Sequence, residues 1–257
     1  MREMIRSLAS ERLLFKYRAY KAYWRGEKEL RLLKKLVDPN KGAIDVGANL
    51  GEYAFWLEKI CQEVILFEPH PDCVSYLKKC IRPSTRLYQI GLSNDTCDSF
   101  LSVPIDSSSN AVTCRASLAE KAVSDFEEID KLEVSLAKLD DFECENIGFI
   151  KIDVEGHELK VLQGAEDTLK RCSPALQVEI EQRHLDTPIE DVIDHINSLG
   201  YRGYFYRAGE LTEVSEFDAM RDQLEILKND SDANSLLGDG YVNNFIFLSR
   251  TQQEGGL

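Results

Sequence analysis

Ten consecutive residues constrain this chain more than any others: Ile44-Asp45-Val46-Gly47-Ala48-Asn49-Leu50-Gly51-Glu52-Tyr53. A short apolar run meets an acid, two glycines follow, and Leu50, Tyr53, Ala54, Leu57 and Ile60 then recur at helical spacing. The order predicts a strand, a tight turn and a helix N-terminus, whose free backbone N–H groups hold nucleotide-bearing ligands. A second apolar run, Val64-Ile65-Leu66-Phe67, closes on Glu68. An acid at that point accepts hydrogen bonds from ribose hydroxyls.

The glycine spacing discriminates between ligands. A dinucleotide fingerprint needs G-x-G-x-x-G so that backbone can approach a pyrophosphate. Here Asn49 stands at the middle position and the pattern reads G-x-x-x-G. Asp45 in the incoming strand repels pyrophosphate and suits a cationic ligand such as S-adenosyl-L-methionine, with its sulfonium and ammonium. The expected cofactor set is Asp45, Gly47, Asn49, Gly51, Tyr53 and Glu68. Two other readings share the strand and turn. One is an NAD-dependent oxidoreductase, opposed by the missing glycine and by Asp45. The other is a non-catalytic Rossmann-like binding module.

A net charge of −14 opposes general nucleic-acid binding, because phosphates would be repelled. Hydrophobic content of 43% is ample for a core. Seven cysteines at irregular spacing, with no C-x-x-C, predict free thiols in a reducing compartment rather than a disulfide framework or a zinc site. No apolar run is long enough to span a bilayer, and a cytoplasmic location is expected.

Strand and helix patterns alternate along the body, which predicts a mostly parallel sheet with helices on both faces. Strands are expected near 44–47, 64–67, 87–90, 147–154, 175–180, 201–206 and 244–248. Residues 1–40 read as an N-terminal helical extension, with a second helix at about 27–37. The first 25 residues carry seven basic and two acidic residues. Such a helix packs on its own acidic domain or a partner subunit, or touches an anionic membrane surface. The domain proper is expected over 41–250. Short strands at 99–103, 111–115 and 132–136 suggest a hairpin excursion near the ligand. Thr187-Pro188-Ile189-Glu190 reads as a capping box. The segment 207–242, acidic with a helix near 215–228, reads as a lid, a subunit contact in a homodimer, or a solvated insertion.

A second constellation, Lys151-Ile152-Asp153-Val154-Glu155-Gly156-His157-Glu158, leaves an apolar strand and enters a helix. In open α/β sheets ligands lie beyond the carboxyl ends of strands, so Asp153 belongs beside the pocket begun by Asp45 and Gly47. Glu179, Glu181 and His184 close the next strand and, with Glu155, are expected to line the acceptor side. His184 reads equally as a surface histidine.

DVGANLGEY, FEPHP, the IGFIKIDVEGHE block running on to Val161-Leu162-Gln163-Gly164-Ala165, and VEIEQRH together resemble the FkbM-type methyltransferases in order and spacing. The resemblance covers roughly 42–200 and the last strand, and KIDVEG is its most specific part. It implies a class I methyltransferase fold: a seven-stranded, mostly parallel sheet whose last strand is antiparallel. It also implies methyl transfer, usually to oxygen, on a small-molecule, glycan or lipid-linked hydroxyl. An alcohol is a weak nucleophile at neutral pH, so a nearby base helps. His157 is the first candidate and His184 the second. Asp153 would orient the cofactor or the acceptor, and Ser93 would lie near the adenine. A magnesium-assisted variant on Asp153, Glu155, Glu179 and Glu181 is the alternative to a metal-free site.

Overall fold

The computed structural model describes residues 11–106, 108, 110–207, 209–229, 240–249 and 252. Eight strands form the main sheet, in the order β10-β9-β11-β8-β7-β1-β2-β3. They are β1 (Gly42–Val46), β2 (Val64–Phe67), β3 (Arg86–Tyr88), β7 (Ile147–Ile152), β8 (Ala175–Glu179), β9 (Tyr201–Arg207), β10 (Glu210–Glu213) and β11 (Asn244–Ser249). β1 pairs in parallel with β2 on one side and β7 on the other. β11 runs antiparallel between β8 and β9. The seven expected strands are therefore present with the last one antiparallel. The eighth, β10, is an edge hairpin partner of β9 that the alternation of elements did not predict.

Chain order reverses at β1, which opens a crevice at the carboxyl ends of β1 and β7. A second sheet, β4-β6-β5, stands beside that crevice. Its hairpin of β5 (Cys97–Ile105) and β6 (Glu128–Ala137) is the predicted excursion, while β4 (Gly91–Leu92) lies parallel to β6. The expected strand at 111–115 is instead an isolated bridge at Ala111 followed by a short 3₁₀ turn over Thr113–Arg115.

Alternation along the strands splits the core into two layers. Ile44, Val46, Ile150, Ile152, Leu176 and Val178 face a layer covered by helices Glu158–Gln163, Glu166–Cys172 and Ile189–Ser198. Ala43, Phe149, Ala175 and Ile246 face the opposite layer, with helix Glu52–Ile60 and the N-terminal segment. There Phe15 and Ala19 of helix Glu11–Arg25 are buried. Phe15 packs edge-on against Phe55, and Trp56 donates to the Ala19 carbonyl at 3.1 Å. The first helix thus shares a core with the domain. Its outer side exposes Leu13, Tyr17 and Trp24. Ile5, Leu8, Arg2 and Arg6, part of the same predicted pattern, lie outside the described residues.

The predicted helix over 27–37 is broken into a 3₁₀ turn, Lys28–Arg31, and one α-turn, Leu33–Leu36. The helix expected near 215–228 begins later: a 3₁₀ turn at Val214–Glu216 is followed by a continuous helix that is π-wound over Met220–Leu224 and α-wound over Glu225–Asn229. The capping box at Thr187 does not form. Pro188 is the N-cap without a side-chain bond, and Gln182 Oε1 instead accepts from the Ile189 N–H at 2.8 Å.

Candidate active site

Gly47 and Gly51 bracket the turn after β1, both at positive φ. Gly47 is required by its neighbour across the crevice: a Cβ there would stand 1.9 Å from the Asp153 carbonyl oxygen. Gly51 is required by packing, since a Cβ would meet the Phe15 ring at 2.6 Å and Leu77 at 2.7 Å. The glycines thus bring two loops together and seat the first helix. Asn49 also has positive φ, which asparagine tolerates better than most residues.

Glu68 lies across the turn. Its two oxygens accept the Asn49 N–H at 2.7 Å and the His70 N–H at 2.8 Å, leaving each a lone pair free. Burial pushes its pKa up to about 7, while those two bonds pull it down. Glu68, Asn49, Ile90, Gly91, Leu92 and Val154 line a small cleft of about 80 Å³. A larger cavity of about 550 Å³ adjoins it. Gly47, Asn49, Cys114 and Asp153 line both.

The floor of the larger cavity is a polar row laid across the sheet. Asp45 sits opposite Lys151, and Lys151 opposite Gln177, so all three project from the same sheet face. Lys151 is 1% exposed and stands 3.4 Å from Asp153 Oδ2, 3.7 Å from Glu179 Oε2 and 5.1 Å from the Tyr53 ring centroid. Burial opposes its charge, but the carboxylates of Asp153, Glu179, Glu27 and Asp45 outweigh burial and raise its pKa. Gln177 donates to the Tyr53 hydroxyl and to Asn244 Oδ1. Asn243 Nδ2 donates to Glu179 Oε1 at 2.7 Å.

Asp45, Glu27 and Glu179 hold protons more tightly than usual. Asp45 is pushed up to about 7 by burial, against the pull of Lys151. Glu27 is raised to about 7 for the same reason. Glu179 is raised well above the ordinary range by burial and by Asp153. Asp45 Oδ2 is buried with no hydrogen-bond partner among the described residues.

Of the residues singled out in the sequence, Asp45, Gly47, Asn49, Tyr53, Asp153 and Glu179 line the larger cavity, and Glu68 and Glu155 the smaller. Gly51 sits behind the loop. The others are engaged elsewhere. His157 Nε2 is 3.0 Å from Ser93 Oγ, both are buried, and neither lines either cavity. Burial lowers the His157 pKa to about 4. At the turn expected to contribute Ser93, the lining residues are Ile90, Gly91 and Leu92. His184 Nδ1 pairs with Glu155 Oε2 at 2.9 Å, and Glu181 is held by Arg183 and Tyr241. Among the described residues no group of three or more His, Cys, Asp or Glu is arranged to hold a metal ion.

Lys151 was missed in the sequence as a site residue, although its signal was present. A lysine at an inward position of the apolar strand IGFIKI is costly without partners. Glu27 left no comparable signal; Arg18, Lys21 and Arg25 were legible as part of a basic helix but not as lining of the cavity.

Strand order, glycine turn and strand-end acids define a class I methyltransferase fold. A family model described as the methyltransferase FkbM domain matches residues 45–203, and the chain belongs to that family. The hexuronic acid methyltransferase AglP of Haloferax volcanii is 32% identical over 155 residues, covering 57% of this chain and 59% of the relative. The chain thus matches somewhat over half the length of that relative. The crystal structure of methyltransferase FkbM from Methylobacillus flagellatus KT superposes with a TM-score of 0.51 at 14% identity, over 93% of this chain and 55% of that one. That likeness concerns the fold. Membership of this family displaces the oxidoreductase reading. Among the described residues no helix is long and apolar enough to cross a membrane.

Proposed function

We propose that this chain is an S-adenosylmethionine-dependent O-methyltransferase acting on a hydroxyl of a sugar or similar polyol. The observation that carries the reading is the junction of two unlike cavities at Gly47, Asn49 and Asp153. The residues present fit the cofactor. Glu68 keeps free lone pairs for ribose hydroxyls, Ile90 and Leu92 offer apolar walls for a base, and Asp45 brings an unpartnered buried carboxylate oxygen to the cationic end. When bound, S-adenosylmethionine would supply a methyl group on a sulfonium, a carbon already activated for displacement by an acceptor oxygen.

The protein's own work is alignment and proton removal. Glu179 is the candidate base: it lines the acceptor cavity, is 19% exposed there, and holds protons more tightly than an ordinary carboxylate. Lys151 keeps Glu179 and Asp153 in place. Asp153 orients the acceptor or the amino acid portion of the cofactor. His157 and His184, the bases expected from sequence, are committed to Ser93 and Glu155, so this mechanism does not use them. The sugar class of the acceptor is supported by the AglP relative.

Incubation with methyl-labelled S-adenosylmethionine and a panel of glycosides tests the reading. S-adenosylhomocysteine and a labelled glycoside should accumulate together. Cofactor that binds yet is never consumed with any acceptor would favour a non-catalytic module.

A further inference from the structure

The larger cavity has a basic wall opposed to its acidic floor. Arg18, Lys21 and Arg25 stand at positions i, i+3 and i+7 of helix Glu11–Arg25, so they share one face, and all three line the cavity. Ala22, between them on that face, is small and leaves room. Among the described residues none of the three lies within ion-pair distance of a carboxylate; the charge of Arg18 reaches Glu52, which also lines the cavity, only at longer range.

The helix does not need these cations for docking. Phe15 and Ala19 bury against the domain, Trp56 bonds the Ala19 carbonyl, and the helix's own ion pair is Glu11 to Lys79 at 2.7 Å. A basic residue at a helix C-terminus offsets the dipole, which accounts for Arg25, and Arg18 stands 6.0 Å from the Tyr76 ring centroid; neither accounts for Lys21, nor for all three facing one cavity. Three cations on one wall of a cavity, outside the 45–203 span of the family match, give an anionic group a place to bind.

We propose that the cavity takes an anionic acceptor, a sugar bearing a carboxylate or a phosphate, whose charge is held by Arg18, Lys21 and Arg25 while a separate, neutral hydroxyl is methylated. The inference rests on the methyl-transfer reading above and adds the substrate class. Its second part follows from the floor. Asp153, and Asp45 and Glu179 when ionised, repel an anion, and Lys151 is already shared among them. The negative group is driven to the helix wall, and a hydroxyl meets the acids. That hydroxyl gives its proton to Glu179 and gains the methyl group. The acceptor's own charge is unchanged, so the product is an ether that keeps its anion, not a methyl ester.

The test uses the full chain saturated with S-adenosylhomocysteine. Calorimetry compares p-nitrophenyl β-glucuronide, the neutral p-nitrophenyl β-glucoside and glucose 6-phosphate. At low salt the glucuronide or the phosphate should bind at least tenfold more tightly than the glucoside, and whichever does so identifies the anion. The triple variant Arg18→Gln, Lys21→Gln, Arg25→Gln should erase the preference and its salt dependence while binding S-adenosylhomocysteine within about twofold of wild type. Single variants serve if the triple variant does not fold. Equal affinity for charged and neutral sugars, or a preference surviving the three substitutions, overturns the proposal. So does an alkali-labile methyl ester as the product with S-adenosylmethionine. Failure of S-adenosylhomocysteine to bind the wild-type chain takes down the cofactor reading first and this inference with it.

Discussion

Lys151 and Asp45 are register partners on adjacent parallel strands, and both are almost wholly buried on the same face of the sheet. One ammonium therefore balances an acidic floor that would otherwise repel itself. Replacing Lys151 with Met leaves Asp45, Asp153 and Glu179 uncompensated. The expected loss at pH 7 is about 3–5 kcal/mol, the usual penalty for stranding one side of a buried ion pair. The loss should shrink at pH 5, where carboxylates of raised pKa take up protons. Urea unfolding at the two pH values checks both the size and the direction.

Glu179→Gln keeps the shape and hydrogen bonding of the side chain but removes its basicity. Turnover should fall by about 10²–10⁴-fold, the range for losing a general base, with S-adenosylhomocysteine affinity nearly unchanged. In the wild type the rate should climb with pH through a midpoint above the ordinary carboxylate range, because burial and Asp153 raise Glu179. Steady-state kinetics over pH 5–9 would show that limb, and a flat profile would exclude Glu179.

Glu158 is 1% exposed and burial pushes its pKa up to about 8 from an ordinary 4.5. A raised acid pKa means that the unfolded chain ionises first. Stability contributed by the protonated form is present below about 4.5 and lost progressively as pH rises through about 8. Glu158→Gln retains an acceptor for the Gly156 N–H, now at 2.9 Å, and cannot ionise. It should flatten this decline and raise Tm at pH 8 by several degrees, as thermal unfolding across pH would record.

Gly51→Ala forces a residue with a Cβ to φ +84 and drives it into Phe15 and Leu77. The cost should be about 1–3 kcal/mol. Helix Glu11–Arg25 should loosen first, which limited proteolysis at its arginines would reveal before global unfolding.

The fold was legible because its signals are local and repeated. Apolar runs ending in Asp45, Glu68 and Asp153 marked strand ends, and the G-x-x-x-G turn marked the reversal of strand order. Glu68, Asp45, Asn49 and Asp153, expected from the same signals, line the two cavities. His157 and His184 line neither cavity. A histidine at a strand end can face the crevice or fold back to a neighbour, and only the contact with Ser93 decides this for His157. The basic wall was also hidden. Its charges were visible, but which face of the first helix meets the cavity depends on Phe15 packing against Gly51, a contact between distant parts of the chain. β10 escaped notice because a four-residue, partly exposed hairpin strand carries almost no apolar pattern.

On the proposed reading, the acids beside the glycine turn select a cationic methyl donor. Calorimetry on the wild-type chain, titrated separately with S-adenosylmethionine and with NAD, addresses it most directly. One equivalent of S-adenosylmethionine should bind, Asp45→Asn should weaken it by tenfold or more, and NAD should give no saturable heat. Saturable NAD binding without S-adenosylmethionine binding would contradict the account.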